Sequence, residues 1–170
     1  MRKDIKKLTL ASIFACLSVV LIMLGNVIEL FDLTVCAFCA MLVYVSMIEI
    51  KGRFPLLIYL TTSVLSLIIM PLSTATLYYC AFFGYYPILR QKLKKAGKFL
   101  GKIVSYAIFN IAMILLFLAF KAVFALHNEP PVMYAVLLIT ANIFFLCFDY
   151  ALDVFAFIYI KKVRPKLNLK

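Results

Sequence analysis

Apolar residues dominate the chain in runs separated by short polar clusters, and the run lengths define its elements. A membrane-crossing helix needs about 20 predominantly apolar residues, with about 17–25 the usual range. Six runs meet or approach that length, at positions 8–26, 33–50, 55–71, 74–89, 101–125 and 134–160. The third and fourth are short, and only the Pro71–Thr74 turn separates them. The pattern predicts an all-α polytopic membrane protein, a bundle of six transmembrane helices forming one domain over 1–170. The first run follows Met1–Lys7 and is longer than the apolar core of a secretory signal, with no Ala-x-Ala site after it, so it is expected to be retained.

Composition agrees with the pattern. Hydrophobic residues make up 66% of the 170 positions and charged residues 15%, too few charges to cover the apolar surface of a soluble domain. The net charge of +11 would suit nucleic acid, but its distribution fits membrane topology better, and no nucleic-acid-binding motif accompanies it. Seventeen of the 18 basic residues fall on four segments that six spans would place on one side. These are the N-terminus, the Lys51–Arg53 connection, the 90–102 loop and the C-terminal tail. Glu29, Asp32 and Glu129 fall on the other side, with Lys121 at its edge. Basic residues mark cytoplasmic connections, so both termini are expected in the cytoplasm and the chain in the plasma membrane. The 90–102 stretch, in which Gly97 and Gly101 match a helix-dimer spacing only by letter, is read as a solvated or interfacial loop beside lipid headgroups.

Chemistry-bearing residues are sparse. Cys36 and Cys39 have CxxC spacing without a second pair or a nearby His, and the preferred reading is that of small buried hydrophobes. No metal site and no cofactor are expected. Thr61, Thr62, Ser63 and Ser66 can bond within their own helix or across to a neighbour, and Asn110 needs a partner and reads as helix–helix glue. Toward the outer side, Asn26, Glu29, Asp32, Tyr78, Tyr79, Lys121, His127, Asn128, Glu129 and Asn142 are candidate ligand groups, since aromatics with a few convergent polar groups make a small-molecule pocket. The competing reading is interfacial tyrosines, a snorkelling lysine and a solvated histidine.

Asp149 and Asp153 lie inside an apolar, aromatic run, where a carboxylate near mid-bilayer costs about 2.5–3.5 kcal/mol on insertion scales. Asp153 is roughly 12 Å and Asp149 roughly 18 Å along the helix from Lys161. Four residues apart, they share a face expected to look into the bundle or toward a partner, as an intramembrane polar pair rather than as primary ligand contacts. A catalytic pair is disfavoured, because Gly-x-Gly-Asp, HExxH and Walker A patterns are all missing. No enzymatic activity is expected.

In the first run, Ala11, Ala15 and Ser18 recur on one face, which Gly25 continues. Small residues let another backbone approach closely. Spacing alone favours packing within the same chain over docking of a separate subunit. Six short helices in 170 residues, cytoplasmic termini and the Ala11/Ala15 AxxxA pattern resemble the substrate-binding S-components of energy-coupling factor (ECF) transporters, and also related small membrane proteins of Firmicutes. The resemblance implies capture of a vitamin or similar micronutrient at the outer side, and docking through Ala11, Ala15 and Ser18 to a transmembrane coupling subunit carried by two ATPases. It carries over no ligand residues, and the chain lacks the Trp that several vitamin binders use. The alternatives are a structural or assembly scaffold similar to rod-shape-determining membrane subunits, with no small-molecule ligand, and a proton- or cation-coupled carrier acting alone.

Overall fold

The apolar runs become helices. A computed structural model of the chain describes residues 2–27, 31–50, 52–124 and 131–165. Its α-helices are α1 (Arg2–Val27), α2 (Asp32–Glu49), α3 (Phe54–Ile69), α4 (Thr74–Tyr78), α5 (Tyr86–Ala96), α6 (Lys98–Phe124) and α7 (Pro131–Ile158), with π-helical segments at Tyr79–Phe83 and Tyr159–Val163. Four stretches, within α1, α2, α6 and the α7 region, are long and apolar enough to cross a membrane, and α3 is a shorter apolar helix. The run expected over 74–89 is broken into α4, a π turn and α5. Hydropathy sums composition and is blind to such a break.

The 90–102 stretch is not a loop. α5 runs through Ala96 and α6 begins at Lys98, leaving Gly97 alone between them. Its Arg, Lys, Gln and Leu residues are strong helix formers, so polarity there marks solvent without ending the helix. Gly97 has φ +124°, a backbone that favours glycine. A side chain at Gly101 would meet the Leu93 carbonyl at 2.9 Å, so this glycine serves the packing of the α5–α6 turn.

The chain forms two compact units, residues 1–105 and 106–170. In the first, α1, α2 and α3 pack against one another, and α4, the π turn and α5 lie along α2. The buried stripe of α1 is Ala11, Ala15, Ser18, Val19, Ile22 and Gly25, the spacing of one helical face. Ala11 and Ala15 share a core with Val43 and Ile50 from the α2 end and Ile58 of α3, and a methyl on Gly25 would press within 3.1 Å of Val35. Ile13, Leu17, Val20 and Leu24 cover the exposed face.

In the second unit, Phe109 of α6 stacks on Phe145 of α7 at 4.6 Å between ring centroids. Tyr106 meets the same ring edge-on at 4.9 Å. The Asn110 and Asn142 amides bond each other reciprocally at 3.0 and 2.9 Å, and each also donates to the carbonyl one turn back.

Candidate functional site

A polar pocket opens where α1 ends and α2 and α4 begin. Asn26, Asp32, Leu33, Leu72, Ser73, Thr74 and Tyr78 line a cavity of about 470 Å³, within the size range of small-molecule sites. Each lining group is set by a helix terminus. Asn26 ends the small-residue face of α1, where Gly25 lets α2 come close. Asp32 is the first residue of α2, where a carboxylate complements the helix dipole, and is 7% exposed. Thr74 opens α4, and its hydroxyl donates to Asp32 Oδ2. Ser73 caps α4, its hydroxyl accepting from the Thr76 N–H at 3.5 Å. Tyr78 ends the same short helix one turn on. The short helix α4 is tied to α2 as well, because the Cys36 thiol donates to the Ala75 carbonyl at 3.2 Å.

The structure brings together Asn26, Asp32 and Tyr78 from the sequence candidates. Tyr79 does not line this cavity. It is fully buried in the π turn, its ring 6.1 Å from that of Tyr59, since successive residues of a helical segment point about 100° apart. Lys121 and Asn142 belong to the second unit, Lys121 exposed in the last turn of α6 and Asn142 committed to Asn110. Glu29, His127, Asn128 and Glu129 lie outside the described residues. Sequence reasoning missed Ser73 and Thr74, although a serine just after a Pro turn and before a short apolar helix is a recognisable cap signal.

The Ala11, Ala15 and Ser18 face, which spacing alone assigned to packing within the chain and the resemblance to a coupling subunit, is covered by the chain's own α2 and α3, with exposures of 6%, 4% and 0%. The Ser18 hydroxyl is turned back on the Phe14 carbonyl at 2.9 Å, and the Ser18 carbonyl accepts from the Cys39 thiol at 3.5 Å. Both CxxC thiols therefore sit buried against backbone carbonyls. Asp149 and Asp153 lie one turn apart on a single face of α7. The buried stripe of α7 is Phe145, Phe148, Leu152, Ala156 and Tyr159, one register position away from the aspartates. Asp149 is half-buried near Tyr106, whereas Asp153 is exposed.

No protein-family profile, curated protein or solved structure matches the chain.

Proposed function

We propose that the chain is a membrane-embedded, non-enzymatic capture subunit that takes a small polar molecule into the pocket of Asn26, Asp32, Ser73, Thr74 and Tyr78. The observation that carries this reading is the convergence of those groups, from three separate stretches of sequence, on one cavity. A scaffold has no evident use for it. The lining holds one carboxylate and no Lys or Arg, so it complements a ligand bearing an amine or other hydrogen-bond donors.

In this reading α1, α2, α3, the broken α4–α5 stretch, α6 and α7 make six spans of the plasma membrane. The basic segments and both termini are cytoplasmic and the pocket faces outward, as the charge distribution supports. The chain would hand its ligand to a separate ATP-driven module, as in the S-components it resembles. That module would contact a surface other than the α1 small-residue face, which α2 and α3 occupy.

Thermal unfolding of the protein in lipid nanodiscs, against a panel of amine-bearing micronutrients, tests this. A ligand at a hundredfold excess over its Kd should stabilise by about 2.7 kcal/mol. The shift should vanish in Asp32→Asn and Tyr78→Phe variants. An identical shift in both variants would contradict the reading.

A further inference from the structure

The first unit has two chemically different ends. Its pocket end is fixed by the Thr74 hydroxyl on Asp32 and the Cys36 thiol on the Ala75 carbonyl. From there α4, the π turn and α5 run alongside α2 in the same direction, until Ile88 packs against the core that contains Ile50. Leu10 of α1 and Phe54 of α3 pack against that core as well. The start of α1, the end of α2, the start of α3 and the end of α5 therefore meet at one end, opposite the pocket.

Three of those segments bring basic residues with them. Lys6 precedes Leu10 by one turn, Arg53 immediately precedes Phe54, and Lys92 follows Ile88 by one turn. Lys102 joins them from the start of α6, because its neighbour Gly101 lies against the Leu93 carbonyl. All four are exposed. Arg90, between Ile88 and Lys92, is only 5% exposed and places a fifth positive charge inside the same end. Glu49, half-buried at the last position of α2, is the one carboxylate among the described side chains there.

Apolar neighbours set the depth of these cations. Ile5 and Leu8 flank Lys6, Leu56 and Leu57 follow Arg53, and Ile103 follows Lys102, all of them 48–57% exposed. Each of these three cations therefore stands within about 5 Å, along its helix, of an apolar side chain turned outward. The headgroup layer of a bilayer is roughly 5–8 Å deep on each side. The charges fall inside that layer, short of the water from which a protein segment would approach. We propose that this end of the first unit is a binding surface for the headgroups of anionic lipids, with their phosphates held by Lys6, Arg53, Lys92 and Lys102. The site rests on the chain's lying in a bilayer, and stands whether or not the pocket at the opposite end takes a ligand.

The chain has no Trp, so one introduced indole reports on one place. Ile103→Trp is reconstituted in mixed vesicles of phosphatidylcholine and phosphatidylglycerol, with either lipid brominated. Its fluorescence quenching should show phosphatidylglycerol favoured beside it by roughly fivefold, the worth of a single basic residue at an anionic surface. Leu24→Trp, exposed on α1 near the pocket, should show no preference. Adding Arg53→Gln and Lys102→Gln to Ile103→Trp should bring its preference close to none. All these positions are exposed, and Leu100→Trp, also exposed, takes the place of Ile103→Trp if that variant does not fold. Equal quenching by the two lipids at Ile103→Trp, the same preference at Leu24→Trp, or a preference that survives both glutamine substitutions overturns the proposal. Binding of polyglutamate without any lipid preference would assign the face to an acidic protein segment and overturns it too. No quenching by either lipid at either position would overturn the membrane embedding, and the proposal with it.

Discussion

The Thr74 hydroxyl donates to the Asp32 carboxylate, joining the first residue of α4 to the first residue of α2 across 42 positions of sequence. The bond fixes the short helix α4 against α2 and orients the one carboxylate of the pocket. Removing the donor withdraws a hydrogen bond from a buried carboxyl group, at a cost of about 1–3 kcal/mol. Thr74→Val should therefore unfold at lower temperature than wild type, while Thr61→Val, at an exposed position of α3, should change little. Equal stability of the two variants would show that the bond does not hold α4 in place.

Asn110 and Asn142 form the polar link between α6 and α7, each amide both donating and accepting. Such interhelical bonds contribute about 0.6–2 kcal/mol in a membrane. A double-mutant cycle with Asn110→Ala and Asn142→Ala, read by denaturant unfolding in mixed micelles, should show coupling of that size. Strict additivity would mean that the two amides act separately.

The closed face of α1 makes a prediction of opposite character to docking. Ala15→Leu should destabilise the isolated protein by about 1–3 kcal/mol, because the added volume enters a core shared with Val43 and Ile58. Thermal unfolding without any partner reads this directly. An unchanged Tm, with only complex formation lost, would restore the docking role.

Gly84 closes the π turn under the Tyr59 ring. A methyl there would overlap Tyr59 and come within 2.9 Å of Tyr79 Cε1. Gly84→Ala should cost about 1–3 kcal/mol by overpacking, and Tyr59→Leu in the same chain should relieve part of it. No relief in the double variant would argue that the strain lies elsewhere.

Much of the helical content was legible because insertion into lipid demands long apolar runs, and runs can be counted. Ala11, Ala15 and Gly25 were legible as a close-packing face for the same reason, since only small residues allow the approach. What covers that face was not legible, because helix spacing is identical whether the neighbour belongs to the chain or to a partner. The π turn at Tyr79–Phe83 left no mark in the apolar pattern, and so Tyr79 was grouped with Tyr78 although they point to different places. Asp149 and Asp153 share a face by their spacing, yet the buried stripe passes through Phe148 and Leu152. Each aspartate lies one register position from that stripe, Asp149 half-buried and Asp153 exposed. The pocket was partly visible in Asn26, Asp32 and Tyr78, whereas Ser73 and Thr74 join it only through the reversal of chain after α3.

Native mass spectrometry of the gently solubilised protein tests the central claim most directly. The account predicts a small molecule, retained on the wild-type chain at one per protein and lost from Asp32→Asn. A wild-type chain that carries no small molecule after extraction from ligand-replete membranes, or an adduct equally retained by Asp32→Asn, would contradict it.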